Sequence, residues 1–305
     1  MDQSGIWPTT LFTLLFSYRL NCFKNSMSTD CVILHNGVRF PKLHFGTYQL
    51  AGTECLEAVK CALETGYVGI DTATIYRNEQ IVADGIGDSS VFLTTKINPF
   101  EAGYEETLLA FEKSLSRLRR DSVDLLLIHW PGKAKLAPSD SRHRQSRIET
   151  WKAFERIYKE GRAKAIGVSN FTIDHLEQLK ADGAEIVPMV NQVEVHVCLS
   201  QRELYKYCSE HKIILQAYSP LGGRSAPVLA KIESLSIRKN SAAVALKAVT
   251  LLSDSVVVKS ATPSRITENF FHFNDQSWSL TESDIQKLSD LDKGIHYCWN
   301  PYTLA

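Results

Sequence analysis

Val123-Asp124-Leu125-Leu126-Leu127-Ile128-His129 is the stretch from which the fold of this chain can be inferred. Five of its first six side chains are apolar, so both faces of a strand formed here would be hydrophobic. Such strands are typical of a parallel sheet that helices cover on both sides. The stretch therefore predicts a buried parallel strand with His129 at its carboxyl end.

Similar apolar stretches recur along the chain and alternate with amphipathic helical patterns. We predict eight strands: Lys42–Thr47, Tyr67–Asp71, Val91–Ile97, Val123–His129, Ala163–Ser169, Met189–Glu194, Ile213–Tyr218 and Val256–Lys259. Eight alternating units indicate an α/β fold, a (β/α)8 TIM barrel, with a doubly wound sheet as the second choice. Before the first strand, Asn36-Gly37 predicts an N-terminal β-hairpin plug, and a C-terminal loop follows the barrel.

The domain organisation follows from the continuity of this pattern. No linker or charged run interrupts residues 31–295, so we expect residues 27–305 to form a single barrel domain. In the preceding stretch, the apolar run Ile6–Phe16 is too short to span a bilayer. We expect residues 1–26 to be a disordered and dispensable N-terminal extension, with Met27 as the start of the folded form.

The composition favours a small-molecule partner. The chain has 305 residues, with 34 basic and 34 acidic side chains, so its net charge indicates neither nucleic acid nor a membrane surface as a partner. Its seven cysteines are odd in number and form no C-x-x-C, which argues against a disulfide framework and a zinc site. We therefore expect a cytoplasmic protein with reduced thiols, without a metal, and monomeric.

Polar side chains stand at nearly every predicted strand end, where barrel enzymes place their chemistry. They are Asp71, Lys96, His129, Ser169 and Asn170, Asn191 and Gln192, Tyr218 and Ser219, and Lys259 and Ser260. Each of them alone has an ordinary structural explanation, such as a satisfied core histidine or a helix cap. Because they occur at so many consecutive strand ends, we interpret them as one active site, to which we add Tyr76, five residues after Asp71.

Seven motifs, in this order, make the chain resemble the aldo-keto reductase family over about residues 31–300. They are Asp71-Thr72-Ala73 with Tyr76 and Asn78-Glu79; Thr94-Thr95-Lys96; Ile128-His129-Trp130-Pro131; Gly167-Val168-Ser169-Asn170-Phe171; Asn191-Gln192-Val193-Glu194; Ala217-Tyr218-Ser219-Pro220-Leu221-Gly222; and Lys259-Ser260 with Pro263, Arg265-Ile266 and Glu268-Asn269. The resemblance implies an NADP-dependent oxidoreductase that reduces aldehydes or ketones to alcohols by hydride transfer.

The matching residues imply a catalytic set of Asp71, Tyr76, Lys96 and His129. Tyr76 would be the general acid, and a free phenol with a pKa of about 10 is reluctant to give up its proton. Lys96 would lower that pKa, and Asp71 would keep Lys96 charged. His129 would hydrogen-bond the substrate oxygen and orient it beside Tyr76.

NADP(H) must be held without a Rossmann motif, because the chain has no G-x-G-x-x-G. After the last strand, Thr262 is a candidate N-cap and Pro263 suits the first helical position, so amides and the helix dipole can meet a phosphate. Lys259, Ser260 and Arg265 suit the 2′-phosphate. The resemblance implies further cofactor contacts from Glu268 and Asn269 at the adenine, from Ser169, Asn170, Gln192 and Tyr218 at the nicotinamide, and from Ser219, Leu221 and Gly222 near the pyrophosphate.

The substrate pocket and the exact role remain open at this level. Tyr48, Trp130 and Trp299 are the candidate pocket walls, and the carbonyl substrate is not identified. A catalytically silent NADP-binding barrel with a structural or regulatory role is the main alternative; a Schiff base at Lys96 and a phosphate-binding isomerase barrel are two others. Because His44 stands where family members have Gly and the helix from about Glu79 to Gly87 is short, we expect an active but less stable enzyme.

Overall fold

A computed structural model describes residues 30–223 and 228–305 of the chain. The expectations for residues 1–26 and for Met27 lie outside the described residues, as does Arg224, the last residue of Gly222-Gly223-Arg224, which the resemblance implies as the loop over the pyrophosphate. The helices and strands below carry numbers in chain order.

Eight parallel strands close into a barrel, as the alternating pattern predicts. The barrel strands are β3 (Leu43–Gly46), β4 (Gly69–Asp71), β5 (Phe92–Ile97), β6 (Val123–Ile128), β7 (Ala163–Ser169), β8 (Val190–Glu194), β9 (Ile214–Tyr218) and β10 (Ser255–Val258). Their order around the barrel is the order in the chain, and β10 pairs with β3 to complete the circle. The doubly wound alternative is thereby excluded.

The helices that alternate with the strands cover the outside of the barrel. They are α1 (Gly52–Thr65), α2 (Glu79–Ile86), α3 (Tyr104–Leu118), α4 (Arg142–Lys159), α5 (Ile173–Ala181), α6 (Arg202–Glu210), α7 (Val228–Ser234), α8 (Ser241–Val249), α9 (Pro263–Asn274) and α10 (Glu282–Ser289). The core lies between these helices and the strands, where Leu125 and Leu127 of β6 and Trp151 and Phe154 of α4 are fully buried. The apolar stretch around β6 is therefore covered as predicted.

The sequence predicts Gly66 as the end of one helix and Thr172 and Thr281 as N-caps of two others. Gly66, with φ 121°, ends α1 by donating to the last carbonyl groups of the helix. Thr172 and Thr281 each accept from the amide three residues later, as capping residues do. Ser200 and Glu203 also have the spacing of a capping box, but Gln201 takes the N-cap position of α6, and the Ser200 hydroxyl donates to the carboxylate of Asp292.

The predicted hairpin precedes the barrel. Strands β1 (Cys31–Ile33) and β2 (Arg39–Pro41) pair antiparallel around a turn in which Gly37 has φ 88°. Phe40 of β2 is fully buried, with its ring centroid 5.2 Å from that of Phe92 at the start of β5. The hairpin therefore packs against the end of the barrel where the strands begin, opposite the end at which the polar residues gather.

Candidate active site

Asp71 and Lys96 form a buried ion pair on neighbouring strands β4 and β5. Lys96 Nζ donates to Asp71 Oδ1 at 2.5 Å and to the carbonyl oxygen of Thr72 at 3.0 Å. Burial lowers the pKa of Lys96 from its ordinary value of 10.5, and the charge and hydrogen bond of Asp71 oppose that shift. The structure thus brings together the two side chains that the strand ends predicted as neighbours.

Tyr76 ends a short 3-10 turn, Thr74–Tyr76, that follows β4. Its ring centroid lies 5.3 Å from Lys96 Nζ, and its hydroxyl lies 3.5 Å from His129 Nε2. Burial raises the pKa of Tyr76 well above its ordinary value of 10.0, and the charge of Asp71 adds to this shift. Burial therefore keeps the phenol protonated, and the lowering effect expected of Lys96 stays a prediction, since Lys96 is not among the causes of this shift.

His129 follows β6 and faces Tyr76 with its ring nearly perpendicular to the phenol, at an interplanar angle of 78°. Burial, together with the positive charge of Lys96, lowers the pKa of His129 well below its ordinary value of 6.5. The imidazole is therefore neutral near pH 7, and its Nδ1 is buried without a partner among the described residues. Tyr76 and His129 together offer two polar atoms that can bond one substrate oxygen.

Asn78 and Glu79 fix the turn that carries Tyr76, a role that sequence reasoning did not give them. Asn78 Nδ2 donates to the carbonyl oxygens of Thr47 at 2.9 Å and Leu50 at 3.0 Å, which ties the turn to the loop after β3. The Glu79 carboxylate is fully buried and accepts hydrogen bonds from side chains of β5 and α3. The sequence signal that could have indicated this anchoring is the amide of Asn78 and the carboxylate of Glu79, two and three residues after Tyr76.

Ser169, Asn170, Gln192 and Tyr218 lie together at the ends of β7, β8 and β9. The Tyr218 hydroxyl donates to Asn170 Oδ1 at 2.8 Å, and Ser169 Oγ donates to the main-chain carbonyl oxygen of Gln192 at 2.7 Å. Asn170 Nδ2 donates to the carbonyl oxygen of His129 at 2.9 Å and to Ser169 Oγ at 3.1 Å. Since both amide hydrogens of Asn170 are used, this side chain can only accept a hydrogen bond from a cofactor.

The start of α9 has the chemistry of a phosphate site. Thr262 takes the N-cap position and Pro263 the first helical position, as predicted, but the Thr262 side chain makes no capping hydrogen bond. Ser260 Oγ instead accepts from the Thr262 amide at 3.0 Å. The first turn of α9, which is thus left without a side-chain cap, and the exposed side chains of Lys259 and Arg265 suit a bound phosphate.

The other expected cofactor residues differ in their exposure. On α9, Glu268 is exposed whereas Asn269 is 5% exposed. After β9, the Gly222 amide donates to the carbonyl oxygen of Ser219 at 2.8 Å, and both residues have positive φ, 79° and 51°. This tight turn leaves Leu221 half-buried beside a loop backbone that a pyrophosphate could approach.

Of the three expected pocket walls, Tyr48 lies beside the phenol of Tyr76, and Trp130 and Trp299 contact each other. Tyr48, 56% exposed, has its ring centroid 5.1 Å from that of Tyr76. Trp130 follows His129, and its ring meets that of Trp299 at 6.0 Å in an edge-to-face arrangement. Trp299 is 79% exposed, so the pocket has an aromatic rim that is open to solvent.

Glu194 at the end of β8 holds the C-terminal segment that carries Trp299. Its buried carboxylate accepts from His196 Nε2 at 3.1 Å and His296 Nδ1 at 3.3 Å. It also accepts from the backbone amides of Tyr297 at 2.8 Å and Cys298 at 3.2 Å. Burial opposes ionisation of Glu194, but these hydrogen bonds prevail and lower its pKa.

Known proteins resemble the chain over most of its length. A sequence model of the Aldo/keto reductase family matches residues 42–242. The chain is 42% identical to a glyoxal reductase of Bacillus subtilis (strain 168), with 89% of this chain and 96% of that protein covered. It is 34% identical to a glycerol 2-dehydrogenase (NADP(+)) of Saccharomyces cerevisiae, with 90% and 96% covered. The solved structure of MGS-M4, an aldo-keto reductase from a Medee basin deep-sea metagenome library, is 38% identical with a TM-score of 0.75, covering 87% of this chain and 96% of that one.

The described residues show neither a membrane-spanning helix nor a cluster of metal ligands. Within residues 30–223 and 228–305, each helix is too short or too polar to cross a membrane. The same residues contain no group of three or more His, Cys, Asp or Glu side chains arranged to hold a metal ion.

Proposed function

The chain belongs to the aldo/keto reductase family of oxidoreductases, and from this membership we propose that it reduces aldehydes or ketones to alcohols with NADPH, with Tyr76 as the proton donor. The observation that carries the proposal is the cluster at one end of the barrel, where Lys96 pairs with Asp71 and the hydroxyl of Tyr76 lies beside Nε2 of His129.

The proposed reaction divides between the cofactor and the protein. The nicotinamide of NADPH, when bound, supplies the hydride to the carbonyl carbon. Tyr76 gives its hydroxyl proton to the carbonyl oxygen, which becomes the alcohol. A phenol whose pKa is held above 10.0 remains protonated across neutral pH, so the donor is always loaded.

Lys96 and Asp71 act when the proton has left. The tyrosinate that remains is a buried anion, and the ammonium group of Lys96, 5.3 Å from the ring centroid, stabilises it. Burial favours loss of the Lys96 proton, so the ion pair with Asp71 is needed to keep this group charged. The three groups therefore work as one unit.

His129 acts as the orienting group. Because its ring is neutral, it can donate one hydrogen bond to the substrate oxygen without competing for the proton that Tyr76 provides. Its ring is held at the end of β6, next to the phenol. Asn170 and Tyr218, at the ends of β7 and β9, are proposed to hold the nicotinamide. In this proposal a carbonyl oxygen bonded by Tyr76 and His129 directs its carbon towards that ring.

NADPH is proposed as the cofactor because of the charge at the start of α9. A single exposed cation binds a phosphate only weakly, but here the exposed Lys259 and Arg265 flank a helix N-terminus without a side-chain cap. This arrangement favours a phosphate monoester over a free hydroxyl. The relative named as an NADP(+)-dependent glycerol dehydrogenase supports the same choice.

Binding and turnover test the proposal in one cuvette. Intrinsic fluorescence is followed during titration with NADPH and, separately, NADH; glyoxal is then added and the absorbance of NADPH is monitored. Tighter binding of NADPH than NADH, followed by oxidation of NADPH, is the expected result. Binding without turnover of glyoxal or of a panel of larger aldehydes and ketones would favour the silent barrel, and absence of binding would overturn the proposal.

A further inference from the structure

Gln216 lies in the middle of β9, and its side chain is fully buried. It is the register neighbour of Gln192 on β8 and of Ser255 on β10. Side chains that are paired in register on adjacent strands project to the same face of the sheet, so these three form one row. A hydrogen bond from Gln192 to Asp71 on β4, on the opposite side of the barrel, places the row in the barrel interior.

The row is a continuous chain of hydrogen bonds. Gln192 Nε2 donates to Gln216 Oε1 at 2.7 Å, and Gln216 Nε2 donates to Ser255 Oγ at 3.1 Å. The Ser255 hydroxyl in turn donates to the carbonyl oxygen of Pro41 at 2.9 Å. At its other end, Gln192 Nε2 also donates to Asp71 Oδ2 at 2.8 Å. The chain therefore connects the catalytic carboxylate with the hairpin that precedes the barrel.

The direction of each hydrogen bond follows from the charge of Asp71. A carboxylate only accepts, so the amide nitrogen of Gln192 must face Asp71. The second hydrogen of that nitrogen then requires the oxygen of Gln216, which turns the nitrogen of Gln216 towards Ser255. The strand order puts β4 and β8 on opposite sides of the barrel, so Gln192 makes this contact across the barrel interior.

We infer that Gln216 is a positioning residue that fixes the side-chain amide of Gln192. In this orientation, Gln192 Nε2 holds the second oxygen of Asp71, and only the side-chain oxygen Oε1 is offered to the barrel mouth. This inference rests on the proposed function, in which the mouth binds a nicotinamide. The carboxamide of that ring carries an NH₂ group, and the Gln192 oxygen is the matching acceptor. Lys96 bonds the first oxygen of Asp71, so the plane of the carboxylate is fixed from both sides.

Without an acceptor at position 216, one hydrogen of the buried Gln192 amide loses its partner. Rotation of this amide away from Asp71 then becomes more favourable. Two functions then suffer together. The nicotinamide loses its acceptor, and Asp71 loses the partner that holds its second oxygen. A residue that only filled space on β9 would affect neither function if its volume were conserved.

Three variants of the full chain test the inference. Gln216→Met keeps the length of the side chain but removes both polar atoms. Gln216→Glu keeps them, because burial favours a protonated carboxyl whose carbonyl accepts and whose hydroxyl donates. Leu215→Met, on the same strand, is the control for a change of packing. The measurements are the NADPH dissociation constant by fluorescence quenching, kcat and KM with glyoxal, and the far-UV circular dichroism spectrum.

We expect Gln216→Met to weaken NADPH binding and to lower kcat, each by about 3- to 10-fold, the range that corresponds to the loss of one hydrogen bond. In Gln216→Glu the NADPH dissociation constant and kcat should stay within about twofold of the wild type, because one hydrogen bond between neutral groups replaces another. Leu215→Met should match the wild type. The glyoxal KM should change less than kcat, because no atom of Gln216 contacts the substrate in this account.

The outcomes separate this inference from the proposed function. Unchanged NADPH affinity and kcat in Gln216→Met, or a Gln216→Glu variant as defective as Gln216→Met, would overturn the inference alone. If the wild type binds NADPH but reduces no carbonyl, the proposed reaction fails, and the NADPH affinities of the variants still decide the inference. If the wild type does not bind NADPH, both are overturned.

Should Gln216→Met fail to fold, Ser255→Ala takes its place. This variant removes the acceptor of Gln216 Nε2, and unchanged NADPH binding and kcat in it would overturn the inference.

Discussion

Tyr76 and Lys96 show how burial at single residues shapes the proposed chemistry. Burial raises the pKa of the phenol and lowers that of the amine, so each group is biased towards its neutral form. The proposed reaction needs the opposite pair, a tyrosinate next to an ammonium group, once the proton has moved. Asp71 shifts the protonation equilibrium of Lys96, because its negative charge favours the ammonium form.

Replacement of Tyr76 by Phe removes the proposed proton donor and little else. We expect kcat/KM for carbonyl reduction to fall by about 10²- to 10⁴-fold, the usual contribution of a general acid. The NADPH dissociation constant should remain within about twofold, since Tyr76 is not among the proposed cofactor contacts. Steady-state kinetics and fluorescence titration measure the two quantities. Tyr158→Phe on α4 is the matched control, and full activity of Tyr76→Phe would remove the phenol from the mechanism.

His44 is the residue whose identity the sequence alone could not explain. It is fully buried in β3, opposite Gly69 of β4 in register. A Cβ atom on Gly69 would lie 2.5 Å from His44 Nδ1, so the missing side chain of Gly69 provides the space for the imidazole. A large residue on one strand is thus compensated by a glycine on the next, and this relation depends on register, which no motif encodes.

The buried His44 predicts a loss of stability in acid. Burial lowers the pKa of His44 from 6.5 to about 3, although a hydrogen bond to the Pro41 carbonyl oxygen opposes this shift. Between these values the unfolded chain binds a proton at this site and the folded chain does not. The contribution of His44 to stability is therefore complete above pH 6.5 and is lost as the pH falls towards 3, with a slope of up to about 1.4 kcal/mol per pH unit.

Urea unfolding at pH 7.5 and at pH 5.5 measures this contribution when the wild type is compared with His44→Gln. The glutamine amide can still donate to Pro41 but does not titrate. We expect the free energy of unfolding to decrease between the two conditions by about 1 kcal/mol more in the wild type than in the variant. His175, which is also buried with its pKa lowered to about 4, contributes equally to both proteins. The same pH dependence in both would contradict the account of His44.

Individual elements were predicted best in their middle and worst at their starts. The helix that contains Trp151 was expected from the spacing of its apolar residues, but α4 begins earlier, at Arg142, in a stretch that is polar and basic. The residues from Lys133 to Arg147 are polar and basic, which predicts a loop, yet the last six belong to α4. His143 ties this stretch together: its Nδ1 accepts from the Lys133 amide at 3.0 Å, and its Nε2 lies 2.8 Å from the Ala137 carbonyl oxygen. Such contacts between side chain and backbone leave no periodic signal.

The C-terminal segment is an element without regular structure, and Glu194 fixes its path. Four donors reach one buried carboxylate, and two of them are backbone amides immediately before Trp299. Trp299 in turn packs against Trp130 at the rim of the pocket. The segment is therefore held by charge at its start, and its aromatic side chain depends on that anchor for its position.

Glu194→Gln should alter substrate preference while leaving cofactor binding intact. An amide has only one oxygen, and its NH₂ group would face the backbone amides of Tyr297 and Cys298, so the segment should shift. We expect KM for a bulky aromatic aldehyde to rise by about 3- to 10-fold, the range of one lost hydrogen bond, with a smaller change for glyoxal. NADPH affinity should be unchanged. Glu105→Gln, an exposed substitution on α3, is the control; equal KM changes for both aldehydes would contradict this role of Glu194.

At the scale of the whole molecule, the eight alternating strands and helices predicted the closed parallel barrel, but not the register of the pairing that closes it. Closure depends on the pairing of β10 with β3, in which Val257 lies opposite His44, across more than half of the sequence. The strand-end residues were predictable because every parallel strand delivers its carboxyl end to one side. The role of Gln216 was not predictable, because its side chain bonds Gln192 and Ser255 on the two adjacent strands, and register rather than a motif decides these contacts.

The last prediction concerns ligand binding and the unfolding of the whole domain. A ligand that binds only the folded state stabilises it by about 2.7 kcal/mol at a concentration 100 times its dissociation constant. For a domain of this size, each kcal/mol raises Tm by about 2–4 °C, so saturating NADPH should raise Tm by about 5–10 °C. The same concentration of NADH should raise it less, because it lacks the phosphate that the start of α9 is proposed to bind. In Arg265→Ala the rise in Tm with NADPH should fall towards the rise with NADH. Arg156→Ala, an exposed substitution on α4, should retain the full difference between the two rises in Tm. Differential scanning fluorimetry measures all of these shifts, and equal shifts with NADPH and NADH in the wild type would rule out the phosphate site at α9.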